Sequence, residues 1–392
     1  MATAKPAVLV INSGSSSIKF KVYLGEEPLL GGQVEGLGTT PRLAARSANG
    51  EALAERALSP GEGGSHEAAL GVVIGFLSQR YGDLDIAAVG HRVVHGGIDY
   101  AEPILVTETV LAALSKLCSL APLHQPHNLA GIRAAIAAFP GKPQVACFDT
   151  AFHRHHPWVN DTFALPRAFF EEGVRRYGFH GLSYEFITGR LKEVAPEIAE
   201  GRVVVAHLGN GASMCAIRDG RSVGSTMGFS ALDGLPMGTR CGQLDPGVIL
   251  YLLQEKGMNG DEIADLLYHE SGLKGLSSLT SDMRALEASD DPAAKQAIDY
   301  FVFRIRRELG AMAAILGGID GLVFTGGIGE NSALIRSLVC RDLGWIGIDV
   351  DEAANKSGAT CISGRDAATQ VLVLKTDEER MIARHTLHLI SS

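Results

Sequence analysis

The chain has no long hydrophobic run. Its longest apolar stretch, Leu309–Phe324, is broken by Asp320 and falls short of the roughly 18–20 residues that a membrane span needs. The opening MATAKPAVLVINSGSSS carries an apolar run only at Ala7–Ile11, too short for a signal-peptide core. Cysteine is sparse: Cys118, Cys147, Cys215, Cys241, Cys340 and Cys361 are scattered, with no CxxC pair. That pattern reads as reduced thiols in a reducing compartment. The expected location is therefore the cytoplasm, with no membrane partner. Positive charge is also short, with 35 basic residues against 44 acidic ones and a net charge of −9. A general nucleic-acid binder needs many cations against phosphate, so that class is excluded. An anionic substrate must be held by local cations or backbone dipoles. With 46% hydrophobic and 20% charged residues, the 392-residue chain fits a folded protein of two or three domains.

Glycine is in excess. There are 47, about 12% of the chain, against about 7% in average proteins. They cluster in Gly96-Gly97, in Gly209-Asn210-Gly211 and in Gly326-Gly327-Ile328-Gly329. Glycine lets backbone approach a ligand closely, so the clusters suggest phosphate or nucleotide loops.

The apolar run Val8–Ile11 predicts a buried strand, and Asn12–Ser16 a turn. Ile18, Phe20 and Val22 then alternate with Ser17, Lys19, Lys21 and Tyr23, the period of a half-buried strand. Gly25–Pro28 predicts a second turn and Gly32–Leu37 a third strand. The pattern recurs in Val203–Ala206, the turn His207–Gly211, Ser213–Arg218, the hairpin Asp219-Gly220 and Ser222–Met227. Asn12 aligns with His207 and Gly14 with Gly209, an offset close to half the chain. A duplicated domain follows. Asp291-Pro292 caps a helix whose apolar residues run from Ile298 to Leu316, ending at Gly317-Gly318. Leu322–Thr325 and Val371–Leu374 predict strands, and Glu378–Leu389 the last helix. Strands alternating with helices after each meander imply an α/β fold with mixed sheets.

Neither glycine turn is a Walker loop, because Gly-Lys-Ser/Thr is missing. Neither is a dinucleotide fingerprint, since Met214 stands where the last glycine of GxGxxG would fall. Two readings stay open: ordinary tight hairpins, or hairpins whose N–H groups grip phosphate. Thr325–Asn331 follows a strand and precedes a helix, so it is either a simple turn or a nucleotide loop. Asp149 after Val145–Phe148 is either a helix cap or a Mg²⁺ ligand or base. Thr376 and Glu379 match a capping box, which leaves Glu378 free for a metal. Arg92 and Arg240, in glycine-rich apolar settings, suit a carboxylate or phosphate ligand or an internal ion pair. His153, His155 and His156 lie in a polar loop with no second ligand cluster at metal spacing, which argues against zinc.

Together, VLVINSGSSSIKF, GHRVVHGG, APLHQPHN, CFDTAFH, RRYGFHGLS, HLGNGAS, DGLPMGTRCGQLDPG, LTSDMR, FTGGIGENS and TDEERMIAR resemble the acetate kinase family, a branch of the superfamily of acetate and sugar kinases, heat-shock ATPases and actin. The resemblance spans essentially the whole chain. It implies two duplicated actin-like, ribonuclease H-like domains with mixed β-sheets flanked by helices and a cleft between them. The first would be 1–150, completed by the C-terminal helix 379–392, and the second, nucleotide-binding, 151–378. It implies reversible transfer of the ATP γ-phosphoryl group to acetate, giving acetyl phosphate and ADP, with Mg²⁺ (or Mn²⁺) and a homodimer. Propionate or butyrate is the alternative acceptor, and an ATP-driven binding protein of the superfamily the more distant reading. By motif, Asn12 and Glu378 resemble the metal-site residues. Lys19, His207, Leu208, Gly209, Asn210, Gly211, Asp282, Met283, Arg284, Gly327, Ile328, Gly329, Glu330 and Asn331 resemble the nucleotide site. Arg92 resembles the carboxylate-binding arginine, Asp149 the active-site acid, and His180 and Arg240 the transition-state stabilisers. His124 lies in another family-like loop. Two departures stand out. Gly181-Leu182-Ser183-Tyr184 replaces the usual Gly-Thr-Ser-His, and Ala231 replaces a pocket proline, leaving room for a longer acyl chain.

Overall fold

The computed structural model describes residues 5–391, apart from Ser15, Asp83 and Leu123. The chain divides into two compact units, Met1–Ala151 with Asp377–Ser392, and Phe152–Thr376.

The first unit opens with a meander of five antiparallel strands: β1 (Ala7–Ser13), β2 (Ser17–Leu24), β3 (Glu27–Glu35), β4 (Arg42–Ser47) and β5 (Ala52–Ala57). Helix α1 (His66–Arg80) leads to β6 (Ile86–Val93), which pairs parallel with β1. The short β7 (Ile104–Leu105), helix α2 (Gln125–Ala138) and β8 (Gln144–Phe148) complete it. The sheet order is β5-β4-β3-β2-β1-β6-β8-β7. β1 is apolar on both faces, whereas β2 buries Ile18, Phe20 and Val22 and turns Lys19 outward. Tyr23 is buried as well, on the face opposite Val22: like Lys21 it meets Asp377, its hydroxyl at 3.3 Å, and the bulge beside it lies in β3, where Leu29 is the extra residue. The third strand starts earlier than its glycines suggest and takes in Pro28, and two further strands follow it. The C-terminal helix, Glu378–Ser391, crosses β1 and β6. It lies so close to Gly90 that a Cβ there would meet Thr386 at 2.3 Å.

The second unit has β9 (Arg202–Leu208), β10 (Ala212–Arg218), β11 (Arg221–Ser225), β12 (Gly321–Thr325) and β13 (Gln370–Val373), in the order β11-β10-β9-β12-β13. The first sheet holds the same five-strand arrangement, β3-β2-β1-β6-β8, with the same antiparallel and parallel pairings. The duplication expected from the repeated pattern is thus visible in topology. Around this sheet lie α3 (Gly181–Val194), α4 (Pro246–Gln254), α5 (Pro292–Leu316), α6 (Gly326–Asn331), α7 (Ala333–Cys340) and α8 (Glu352–Ser357). α5 forms as its signals dictate: the Asp291 carboxylate accepts from the Ala293 N–H at 2.8 Å, and Gly317 ends the helix at φ 71°. The expected glycine turn Gly326–Asn331 is itself the short helix α6. Buried Arg336 braces it, donating to the carbonyls of Gly329 (2.8 Å) and Glu330 (3.0 Å) and to Asn355 Oδ1 (2.7 Å). Among the described residues, no helix is long and apolar enough to cross a membrane.

The expected capping box at the C-terminal helix does not form. Asp377 is the capping residue, its Oδ1 accepting from the Arg380 N–H at 3.1 Å. Thr376 instead meets the Ser183 hydroxyl at 2.9 Å. One further buried group has a consequence for acid stability. His91 is enclosed in β6 against Gln144 Oε1 at 2.8 Å, and burial pushes its pKa down to about 4. The unfolded chain takes up a proton near pH 6.5 that the folded His91 refuses, so stability falls as pH drops from about 6.5 towards 4. His91→Gln should flatten that fall in urea unfolding midpoints measured across this range. Parallel pH profiles for the two proteins would rule the assignment out.

Candidate active site

In the first unit, polar side chains gather where the central strands end. Asn12 is the penultimate residue of β1 and faces Lys19 of β2 in the strand register. Arg92 lies near the end of β6, Asp149 directly follows β8, and Glu378 starts the C-terminal helix. Arg92 is gripped by Asp149: Nε donates to Oδ1 at 2.9 Å and Nη2 to Oδ2 at 2.6 Å. Glu378 Oε2 approaches the same Nε at 3.8 Å. The Asp149 side chain is 2% exposed and Arg92 20%. Burial works against the Arg92 charge, but Asp149 and Glu378 outweigh it, so the guanidinium stays charged. Burial pushes the Glu378 carboxyl up. Arg92 and Lys19 pull it back, and the charges of Asp149 and Asp377 add to the rise. A divalent cation would relieve this pressure. Mg²⁺ takes one or two carboxylates with water and phosphate oxygens, and Asn12, Asp149 and Glu378 supply hard oxygen donors of that kind. Among the described residues no cluster of three or more His, Cys, Asp or Glu has metal-binding geometry. His124 stands at the N-terminus of α2.

In the second unit, the tight turn between β9 and β10 closes through the Gly209 N–H on the Gly211 carbonyl at 3.1 Å. Gly211 has Arg240 and His180 directly above it. A Cβ at Gly211 would lie 2.8 Å from Arg240 Nη2 and 3.3 Å from His180 Nε2. Arg240 is fixed by Nη1 donating to the Ala231 carbonyl at 2.8 Å. His180 has φ 56°, a left-handed backbone that is costly for any residue but glycine, and stacks on His207 at 4.3 Å between ring centroids. Its Nδ1 meets Ser213 Oγ at 2.8 Å, and His207 Nδ1 meets Ser183 Oγ at 2.9 Å.

The glycine loop packs against this turn. A Cβ at Gly326, where φ is 78°, would sit 2.7 Å from the Leu208 carbonyl oxygen. Glu330 spends its carboxylate locally, accepting from the N–H groups of Gly326 (2.9 Å) and Thr376 (3.2 Å). Asn331 Nδ2 donates to the Gly327 carbonyl at 2.8 Å. Asp282 caps the short helix Met283–Glu287 through the Arg284 N–H (3.0 Å) and pairs with the exposed Arg284 side chain (2.8 Å), while Met283 is buried. This segment starts beside the turn. Gly238 lies between Asn210 and Ser281, with room for no side chain: a Cβ would meet Asn210 Oδ1 at 2.0 Å and Ser281 Cβ at 3.3 Å.

His153 and His156 do not lie in a solvated loop. Both are turned inward onto Ser222 Oγ, at 2.8 and 2.7 Å, and burial pushes their pKa values down to about 4 and about 2. Sequence reasoning missed Ser183, Tyr184 and Ser213, which support the two site histidines. The available signal for Ser213 was a serine in a strand whose neighbours are otherwise apolar or small.

The sequence pattern of the acetokinase family matches residues 7–384. An acetate kinase of Methylocella silvestris is 57% identical over 394 residues, covering 98% of each chain. One of Nitrobacter hamburgensis is 56% identical, covering 98% of this chain and 96% of the relative. Among solved structures, acetate kinase of Porphyromonas gingivalis superposes with a TM-score of 0.89 at 36% identity, covering 98% of this chain and 100% of that one. A propionate kinase of Francisella tularensis superposes with a TM-score of 0.92 at 34% identity, covering 98% and 99%. With the pattern running almost end to end and these identities spread over whole chains, the protein belongs to the acetokinase family.

Proposed function

We propose that the protein transfers the ATP γ-phosphoryl group reversibly to acetate, giving acetyl phosphate and ADP by direct in-line displacement. The observation that carries the reading is the convergence of Arg240 Nη2 and His180 Nε2 above Gly211. Acetate, with a carboxyl pKa near 4, is ionised at neutral pH and attacks without losing a proton. No general base is required; each Asp149 oxygen accepts one hydrogen bond from Arg92 and keeps a lone pair for a metal ion. The barrier is repulsion between two anions, so cations and donors must offset it. Arg92 uses Nε and Nη2 on Asp149, and its Nη1 and partial exposure leave donors for the acyl carboxylate. Arg240 and His180 hold the equatorial oxygens of the transferring group. The turn 207–211, the loop 327–331 and Asp282–Arg284 receive the nucleotide, with backbone laid bare at the glycines. Mg²⁺, or Mn²⁺ in its place, would be held by Asn12, Glu378 and Asp149 and would neutralise phosphate charge.

Propionate is a second acceptor in this reading. Ala231, which also fixes Arg240, stands where the family carries proline, and a propionate kinase shares the fold closely. A homodimer is supported by α4, whose Val248, Leu250, Tyr251 and Leu253 are all exposed. A cytoplasmic location is supported by the six free cysteines.

Four outcomes are expected. Hydroxylamine should trap an acyl phosphate after incubation with MgATP and acetate, and Arg240→Ala should cut kcat roughly 10³-fold, the scale of a lost phosphoryl-stabilising arginine. Near-normal turnover in that variant would refute its role. Asp149→Asn should lose activity in a way that depends on Mg²⁺ concentration, and a loss indifferent to metal would count against metal ordering. Across acetate, propionate and butyrate, kcat/KM for propionate should fall within about tenfold of acetate, since one methylene is worth roughly 1–3 kcal/mol in a pocket. A much steeper preference for acetate would eliminate the enlarged pocket.

A further inference from the structure

Ser213 is fully buried in β10, yet its hydroxyl stands between two chemically different partners. Tyr184 Oη contacts Ser213 Oγ from α3, and His180 Nδ1 lies 2.8 Å from the same oxygen. A serine hydroxyl has one proton and two lone pairs. A phenol is far more acidic than an aliphatic alcohol, so it is the better donor of the two hydroxyls. With the Tyr184 O–H donating to Ser213 Oγ, the serine proton is directed to His180 Nδ1. A nitrogen that accepts there carries no proton, so the neutral ring bears its hydrogen on Nε2. That nitrogen faces Gly211 beside Arg240 Nη2.

The backbone of the same histidine is held independently. His153 Nε2 lies 2.9 Å from the Phe179 carbonyl, which can only accept. His153 is therefore protonated on Nε2, and its Nδ1 accepts from Ser222 Oγ at 2.8 Å. The carbonyl so anchored is that of the residue preceding His180, at the left-handed turn that opens α3. Ring and backbone are each fixed by a buried donor.

We propose that Ser213, backed by Tyr184, is a positioning residue that locks His180 in the Nε2–H tautomer, so that a neutral N–H donor and the Arg240 guanidinium are presented side by side to the transferring phosphoryl group. The inference rests on the role given above to His180. It also accounts for the departure at Tyr184: a tyrosine there reaches the serine with a hydroxyl donor.

The test is ¹⁵N-histidine NMR on the full-length protein, with the His180 signals assigned by their loss in His180→Ala. The expected spectrum shows a bare Nδ1 and a protonated Nε2 at neutral pH, and a protonated Nδ1 would overturn the proposal. Ser213→Ala should move both signals towards a tautomer mixture. It should lower kcat about 3–10-fold, the scale of one hydrogen bond, with KM for acetate and ATP within about twofold. Ser213→Thr, which keeps the hydroxyl, should restore the tautomer. Unchanged signals and unchanged kcat in Ser213→Ala would overturn the lock. The spectrum of the unaltered protein decides the tautomer even if that variant does not fold. Full turnover in His180→Ala would instead overturn the role of His180 in catalysis, a result distinct from a wrong tautomer.

Discussion

Strands buried on both faces tolerate polar side chains inside only where a partner satisfies them and gather the rest at their ends, and this constraint organises the molecule. β1, β8, β9 and β12 are apolar almost throughout, because helices cover their sheets. Each parallel run therefore releases its polar residues at the carboxyl edge: Asn12 near the end of β1, Asp149 after β8, His207 near the end of β9, and the glycine loop after β12. Ligands of open α/β sheets are received at that edge for the same reason. The candidate site residues follow from where burial stops.

The duplicated sheets use the same edge for different chemistry. In the first unit the edge is charged, with one arginine between two carboxylates. Arg92 is held rigidly by Asp149 while Glu378 stays under the pressure of burial. In the second unit the edge gathers glycine backbone, stacked imidazoles and hydroxyls beside Arg240, and its nearest carboxylate, Glu330, is taken up by the N–H groups of Gly326 and Thr376. The physical demand differs accordingly. In the proposed roles, neutralising a carboxylate and a metal-bound phosphate calls for fixed charge, while cradling a polyphosphate chain calls for close backbone approach and N–H donors.

Preorganisation is the common thread. Arg240 is tied to the Ala231 carbonyl, His207 to Ser183, His180 to Ser213, and α6 is braced by Arg336. Each tie is buried or half-buried, where a hydrogen bond is stronger and its loss costs more.

The sequence by itself determined the duplicated α/β organisation, through paired strand–glycine turn–strand patterns. It also determined α5, because Asp291-Pro292 and Gly317 act within a few residues of the backbone they cap. Arg92, Arg240 and Asp149 stood out because charge in apolar surroundings needs a partner, but the partner could not be read from spacing. Only the tertiary structure decided that Arg92 and Asp149, 57 positions apart, choose each other. It alone decided that Asp377 rather than Thr376 caps the last helix, since Thr376 is drawn to Ser183 across 193 positions. The same holds for the inward turn of His153 and His156, and for the pairing of Tyr23 with Asp377. Capping and strand alternation are short-range forces, written locally. Hydrogen bonds and ion pairs between distant segments form only once burial has brought those segments to the same strand edge.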